Sequence, residues 1–215
     1  MERPFRSHRC LPYSQEAVSN CAKILATLHG SGLQAAQQRP FAAEVSSLGE
    51  EIAVVQNVFP ELGDQLQSWL EQMIDLEHTL PPMSPCFSHG DFTSAQMIFD
   101  GSKAGLVDFD TVCMAEPALD LGQFLTYQRS NIQKGIGLEH SDRIALVNEL
   151  AELFLDTYTQ NIPTSVADPH LLQARIPVYE VTSLLHLALH SWQKFKGSRL
   201  KLALELIHER ISRIQ

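Results

Sequence analysis

Four oxygen-bearing side chains in the middle of the chain have the types and spacing that phosphoryl transfer requires. Asp91 and Gln96 share one short stretch, and Asp108 and Asp110 follow on a second, apolar one. Phosphoryl transfer needs a carboxylate that orients and deprotonates the attacking hydroxyl, together with oxygen ligands that hold magnesium across the nucleotide phosphates. These residues therefore form a candidate site for the transfer of a phosphoryl group to a hydroxyl.

A short β-hairpin is predicted to position these side chains. Asp91 would lie on the loop before the hairpin, Gln96 would open the first strand, and Asp108 would lie near the end of the second strand. The carboxylates and the carboxamide would then converge at one end of the hairpin. The predicted extended segments are 87–89, 96–99 and 105–109, with a turn at Asp100-Gly101 between the last two.

The rest of the chain has the apolar periodicity of helices. Asp168 followed by Pro169 is typical of a helix start, and Pro177 should kink or split the helix that follows. The predicted fold class is α+β, mostly helical, with one small hairpin in the middle of the chain. The predicted helices are 14–30, 42–58, 60–80, 118–127, 141–159, 168–192 and 198–214.

The candidate residues belong to a longer pattern. The chain contains His89-Gly90-Asp91, then Gln96, then Asp108-Phe109-Asp110, and finally Glu116-Pro117-Ala118-Leu119-Asp120-Leu121. This pattern resembles that of the aminoglycoside phosphotransferase and choline kinase family of kinase-like folds. The predicted helices also follow the order of that family's carboxyl-terminal lobe. The resemblance implies a protein-kinase-like C-lobe whose small β-hairpin carries the catalytic loop.

The resemblance implies a role for each site residue. Asp91 would be the catalytic base, Gln96 and Asp108 would be Mg2+ ligands, and Asp110 would be an auxiliary ligand or simply a solvated turn carboxylate. ATP would be the phosphoryl donor and a small-molecule hydroxyl the acceptor. The family has asparagine where Gln96 lies. Glutamine keeps the oxygen donor but places it about 1.5 Å farther out, so the loop would shift or a water molecule would bridge to the metal.

Two further residues are implied to support the catalytic loop. His89 would hydrogen-bond the loop backbone, and Asp120 would brace the loop from a helix start. The alternative for Asp120 is a carboxylate that only interacts with the helix dipole. His186 and His190 have the helical spacing of a zinc pair, but packing or interface histidines are the simpler interpretation.

The sequence shows no counterpart of the family's amino-terminal lobe. That lobe supplies a glycine-rich cover for the phosphates and a lysine paired with a glutamate, but only thirteen residues precede Ser14. Gly30-Ser31-Gly32 and Gly135-Ile136-Gly137 are interpreted as loops, and no GxxxxGK motif occurs. We therefore expect residues 1–13 to be an extension, a remnant of the inter-lobe hinge, and residues 14–215 to be the C-terminal lobe. The nucleotide-binding lobe is expected to be absent, and nucleotide-binding residues are not assigned.

Composition limits the partners. Asp and Glu number 25 against 16 Lys and Arg, and the net charge is −9. This balance argues against a nucleic-acid binder and slightly favours a cationic substrate, or phosphates held through a divalent metal. The four cysteines lack the spacing of a metal site or a disulfide framework, and no apolar stretch is long enough to span a bilayer. We expect a cytoplasmic protein that binds neither nucleic acid nor membrane.

The sequence is compatible with three functions. The leading hypothesis is an ATP- and Mg2+-dependent phosphotransferase lobe that is incomplete as a stand-alone enzyme. The alternative is a non-catalytic binding or scaffold lobe, pseudokinase-like or the product of a truncated gene. Such a lobe would self-associate, or bind a separate amino-terminal lobe, through its uncovered face. The third is a metal-dependent phosphohydrolase with two metals about 3.5–4 Å apart, built from His89, Asp91, Asp108, Asp110 and the histidines at 186 and 190.

Overall fold

The computed structural model describes residues 14–100, 103–133 and 139–214. The predicted extension over 1–13, the glycine of the hairpin turn at 101 and the glycines at 135–137 lie outside the described residues. Within the described ranges the helices are α1 (Gln15–His29), α2 (Phe41–Val58), α3 (Pro60–Thr79), α4 (Ala118–Gln133), α5 (His140–Asn161), α6 (Pro169–Gln193) and α7 (Gly197–Ser212). The strands are β1 (Cys86–Ser88), β2 (Met97–Asp100), β3 (Lys103–Leu106) and β4 (Cys113–Ala115).

The fold is mostly helical, which confirms the predicted fold class, and two helix starts show how the sequence produces it. The Ser14 hydroxyl accepts a hydrogen bond from the backbone N–H of Ala17 at 3.1 Å. The Asp168 carboxylate accepts from the N–H groups of His170 and Leu171, both at 2.9 Å. These side chains satisfy amides that the first turn of a helix leaves unpaired. In the described part of the chain, no helix combines the length and hydropathy needed to cross a bilayer.

Helices α4 and α6 form the centre of the core, and both are buried along most of their length. Gly122 lies where their backbones meet, since a Cβ there would lie 2.6 Å from the carbonyl carbon of Tyr179. Pro177 lies inside α6 without splitting it. Its neighbours Ile176 and Val178 are buried, and we attribute the unbroken helix to this packing, which outweighs the lost backbone hydrogen bond.

The strands form two separate antiparallel pairs. β2 and β3 form the predicted hairpin, with Met97 opposite Leu106. β1 pairs with β4, and Ser88 lies opposite Cys113. Strand β4 was not predicted, because three residues show no useful alternation and the strand's partner lies far away in the chain. This second pair connects the two ends of the segment that carries the site.

The first strand of the hairpin begins later, and the second strand ends earlier, than predicted. Gln96 ends a 3-10 turn, Ser94–Gln96, instead of opening β2, and β3 ends at Leu106. Asp108 has a left-handed backbone, with φ 68° and ψ 62°, and a second 3-10 turn, Phe109–Thr111, follows it. A left-handed residue cannot continue a strand, so the predicted strand to residue 109 was wrong.

Candidate active site

The loop that carries Asp91 follows β1 and depends on a glycine. Gly90 has a φ of +81°, which glycine adopts without steric cost. A Cβ at this position would lie only 2.2 Å from the carbonyl oxygen of Thr111. The Thr111 hydroxyl donates to the carbonyl of His89 at 2.9 Å. The loop therefore lies against the turn that follows Asp108, at a distance that only glycine permits.

Asp120 accepts hydrogen bonds from two successive amides of this loop. Its Oδ2 accepts from the N–H of His89 at 2.7 Å, and its Oδ1 accepts from the N–H of Gly90 at 2.9 Å. Asp120 lies in the first turn of α4 and is fully buried. Hydrogen bonds to a buried carboxylate are stronger than those between neutral groups. The start of α4 thus fixes the orientation of the loop backbone.

His29, the last residue of α1, is a third donor to Asp120. Its Nε2 lies 3.0 Å from Asp120 Oδ2, and its Nδ1 lies 2.7 Å from the hydroxyl of Tyr158. Because a carboxylate only accepts, Nε2 carries the proton, and in the neutral ring Nδ1 accepts from the Tyr158 hydroxyl. His29 was not among the predicted site residues. The available signal was its position at the end of the apolar face of α1.

Two further side chains contact the loop and were also not predicted. Gln123, one helical turn after Asp120, donates to the carbonyl of Gly90 at 2.8 Å and accepts from the N–H of Phe92 at 3.0 Å. Arg39, in the segment before α2, donates to the same Gly90 carbonyl at 2.7 Å. The spacing of Gln123 from Asp120 is a helical signal that could have revealed it. Arg39 belongs to no motif.

His89 connects the loop to the end of the hairpin. It is buried, and its Nε2 donates to the carbonyl of Val107 at 3.0 Å. The N–H of Asp91 donates to its Nδ1 at 3.4 Å. One neutral tautomer therefore satisfies both contacts. His89 thereby joins the backbone of Asp91 to the residue that precedes Asp108.

Asp91 and Gln96 are in direct contact. Gln96 Nε2 donates to Asp91 Oδ2 at 3.2 Å. Burial raises the pKa of the half-buried Asp91 above its ordinary value, the Gln96 hydrogen bond opposes this rise, and the neighbouring Asp108 carboxylate adds to it. The positive charge of Arg39 favours the ionised form of Asp91. The structure thus places Asp91 and Gln96 in contact, with Asp108 near enough for its charge to act on Asp91.

Gln96 and Asp108 offer oxygen donors of the kind that magnesium prefers. Gln96 directs its nitrogen to Asp91, which leaves its amide oxygen for a cation, and the Asp108 side chain is exposed. Proteins commonly hold Mg2+ through one or two side chains, while phosphates and water complete the octahedron. Asp110 is exposed on the following turn. Among the described residues, no three His, Cys, Asp or Glu side chains form a group that could hold a metal ion.

An exposed apolar surface lies on the hairpin beside Gln96. Ile98 is 52% exposed, Val107 37% and Phe109 45%. The β2–β3 register and the hydrogen bond from the N–H of Val107 to the carbonyl of Gln96 place Ile98 and Val107 on the same hairpin face as Gln96. The ring of Phe109 contacts His89 at a centroid separation of 5.3 Å. We call Ile98, Val107 and Phe109 the hairpin patch.

The other residues that the sequence singled out have separate surroundings. His186 Nε2 lies 3.3 Å from a buried carboxylate oxygen of Glu44, whereas His190 is exposed. Packing and hydrogen bonding therefore explain His186 without a metal. Cys21, Cys86 and Cys113 are buried free thiols, and burial raises the pKa of Cys113 to about 11.

Several solved kinase structures share this fold. One crystal form of glucosamine kinase has a TM-score of 0.67 and 18% identity, over 91% of this chain and 52% of that one. A choline/ethanolamine kinase family protein from Mesorhizobium loti has a TM-score of 0.66 and 15% identity, over 91% and 61%. Amicoumacin kinase hAmiN, in complex with AMP-PNP, Ca2+ and Ami, has a TM-score of 0.70 and 13% identity, over 97% and 63%. This chain therefore spans less than two thirds of the length of each.

No curated protein sequence matches this chain. A family model matches residues 9–155, which are more than half of the chain and include the Asp91 loop, the hairpin and the start of α4. The match agrees with the family that the motif pattern predicted. The chain belongs to the phosphotransferase enzyme family.

Proposed function

We propose that this chain is the catalytic lobe of a small-molecule kinase that transfers the γ-phosphoryl group of ATP to a hydroxyl with the help of Mg2+. One observation carries the proposal. The amide of Gln96 contacts the carboxylate of Asp91 at 3.2 Å, on a loop whose backbone is hydrogen-bonded to Asp120, Gln123 and Arg39. A base and a candidate metal ligand thus lie side by side in a fixed geometry.

Asp91 is the base of the proposed reaction. Gln96 occupies its Oδ2, so Oδ1 is the atom that would accept the proton of the attacking hydroxyl. Burial raises its pKa and so makes its carboxylate a stronger base than an exposed aspartate. Because the loop backbone is fixed before substrate binds, little reorganisation is needed to reach the reactive geometry.

Gln96 and Asp108 are the proposed magnesium ligands, and the hairpin patch is the proposed contact for the nucleotide base. Bound Mg2+ neutralises negative charge on the transferred phosphoryl group. Ile98 and Val107 lie on the same hairpin face as Gln96 and expose apolar surface there. Burying that surface against the flat face of a purine is favourable. The patch would therefore orient the nucleotide next to the metal ligands.

The proposed acceptor is a small hydroxyl compound that also bears an amine. The similar structures are those of a glucosamine kinase, a choline/ethanolamine kinase family protein and an amicoumacin kinase. The net charge of −9 favours a cationic acceptor over an anionic one. The described residues contain no glycine-rich loop followed by lysine, and we propose that full activity needs phosphate contacts from elsewhere.

The hairpin patch also supports the alternative function, a non-catalytic lobe. Three large apolar side chains that are 37% to 52% exposed can contact another protein as readily as a nucleotide. In this case the chain would self-associate or bind a separate lobe through the patch. The two functions differ in their dependence on Asp91, which a scaffold does not need.

The test is turnover of Mg-ATP with a panel of amino sugars and amino alcohols, for the wild type and for Asp91→Asn. A matched control is Asp100→Asn, which changes an exposed aspartate at the hairpin turn. The kinase proposal expects turnover in the wild type and the control and a loss of at least about 100-fold in Asp91→Asn. Absence of turnover and of Mg-ADP binding, with a concentration-dependent mass that Ile98→Asp lowers, would establish the scaffold instead.

A further inference from the structure

We propose that Arg39 and Glu44 are positioning residues of this active site and act on Asp91 through the carbonyl of Gly90. The proposal rests on the proposed function, because it concerns the same base. Neither residue belongs to the motif pattern, and neither touches the candidate metal ligands in any contact described above. Their effect on Asp91 follows from a continuous set of contacts that begins in the segment between α1 and α2.

The backbone around Arg39 is attached to the site by strand-like contacts. Its N–H donates to the carbonyl of Met114 at 2.9 Å, and the N–H of Met114 donates to the carbonyl of Gln37 at 2.8 Å. Gln38 and Met114 form a parallel bridge. Because Met114 lies in β4, this segment moves with the strand that pairs with β1. The guanidinium of Arg39 therefore starts from a fixed point near the loop.

Glu44 holds the guanidinium in place. Its Oε1 accepts from Arg39 Nε, and its Oε2 lies 3.3 Å from His186 Nε2. Burial by itself would raise the pKa of Glu44, but the hydrogen bonds from His186 and Arg39 lower it to about 2. The residue is only 3% exposed. A buried carboxylate is costly unless it is paired, and here the pairing directs one Arg39 nitrogen to the loop.

The contact with the Gly90 carbonyl acts directly on the catalytic base. The carbonyl of Gly90 and the N–H of Asp91 belong to one planar peptide group, so fixing the oxygen fixes the plane from which Asp91 projects. Gly90 has the backbone freedom of glycine and needs such a restraint. Gln123 donates to the same oxygen at 2.8 Å. Arg39 adds a charged donor at 2.7 Å whose charge also favours ionised Asp91.

The inference predicts that loss of Arg39 lowers kcat and leaves KM nearly unchanged. Asp91 would adopt several orientations in Arg39→Ala, while the groups that bind substrate stay in place. Loss of one hydrogen bond from a charged donor corresponds to about tenfold or more in an equilibrium. We therefore expect kcat to fall at least about tenfold. Guanidinium ions added at millimolar concentration should restore part of the lost kcat, because they can occupy the vacated position.

The matched control is Arg129→Ala. Arg129 pairs with the buried Glu180 at 3.2 Å, and Glu180 keeps Arg210 as a second partner, just as Glu44 keeps His186 in Arg39→Ala. The two variants therefore remove a similar ion pair from a similarly buried glutamate. The guanidinium of Arg129 bonds to Glu180 and not to the loop, so its loss should change neither kcat nor the response to guanidinium.

Hydrogen exchange gives a readout that does not require turnover. The exchange rate of the amides in the peptide that spans 89–92 should rise about tenfold or more in Arg39→Ala and stay at the wild-type rate in Arg129→Ala. If Arg39→Ala fails to fold, Arg39→Lys serves instead. The lysine keeps a charge next to Glu44 but lacks the rigid guanidinium fork, in which one nitrogen bonds Glu44 and another bonds Gly90. An unchanged rate in the folded variant, or an equal rise in Arg129→Ala, would overturn the inference. A wild type that neither turns over Mg-ATP nor binds Mg-ADP, and whose variant shows the expected rise in exchange, would refute the kinase and leave the positioning role standing.

Discussion

Replacing Asp120 by asparagine tests the central hydrogen-bonding group of the site. The buried carboxylate accepts from the amides of His89 and Gly90 and from Nε2 of His29, at 2.7, 2.9 and 3.0 Å. Asparagine has the same shape, but one of its two terminal atoms is a donor. Whichever way the amide is oriented, its NH2 group faces a backbone N–H of the loop. At least one buried donor is then left without an acceptor, and the charge that strengthened the other bonds is lost.

The expected cost follows from these contacts. An unsatisfied buried donor costs about 1–3 kcal/mol, and the weakening of the two remaining charge-assisted bonds adds about 1 kcal/mol each. The total is about 3–5 kcal/mol. For a chain of this size, each kcal/mol lowers the midpoint of thermal unfolding by about 2–4 °C. Asp120→Asn should therefore lower the midpoint by about 6–20 °C.

The assay is thermal unfolding followed by circular dichroism, with Asp142→Asn as the control. Asp142 is an exposed aspartate in the first turn of α5 and reports the helix-dipole contribution alone, which is about 0.3–1 kcal/mol. The control should therefore move the midpoint by no more than about 4 °C. If Asp120→Asn also shifts the midpoint by no more than about 4 °C from the wild-type value, the carboxylate only interacts with the helix dipole and does not brace the loop.

Three further outcomes are expected. Gly90→Ala should destabilise the protein by about 2–4 kcal/mol in denaturant unfolding, because the added Cβ meets the Thr111 carbonyl at 2.2 Å and φ is +81°; wild-type stability would show that the loop relaxes freely. The lowered pKa of Glu44 means that its stabilisation is complete above its ordinary pKa of 4.5 and is lost as the pH falls towards about 2. Glu44→Gln should accordingly unfold with a weaker pH dependence across that window, and an unchanged dependence would contradict the ion pair. Because burial raises the pKa of Asp91, kcat should fall on acidification at a pH above the ordinary aspartate value of 3.8, and a pH–rate profile with its acidic limb at or below 3.8 would contradict that environment.

The sequence was sufficient for the parts of the site that are close together in the chain. Asp91 and Gln96 are separated by a single loop, and the hairpin returns the chain to Asp108, so local turn and strand signals predict their convergence. The strand limits were less accurate. Asp108 adopts a left-handed backbone that no residue pattern specified, and this turn ends β3 early.

The residues that hold the loop could be found only partly from the sequence. Gln123 lies on the same helical face as Asp120, and this spacing is a usable signal. His29 is separated from Asp120 by 91 positions and Arg39 from Gly90 by 51. The first contact exists because α1 and α4 both pack against α5, and the second because the segment before α2 pairs with β4. Tertiary packing of this kind leaves no periodic trace in a single sequence.

These contacts distinguish the residues that position Asp91 from the residues of the hairpin patch. The amides of His89, Gly90 and Phe92 and the carbonyl of Gly90 all bond to side chains of residues 39–123. The position of Asp91 is therefore determined by residues of this chain. The hairpin patch, by contrast, leaves its apolar side chains exposed, and under the proposed function a nucleotide or a partner would cover them. We infer that changes at Asp120 or Arg39 act on the base, while changes at Ile98 act on what the hairpin binds, and that the two sets of effects add independently.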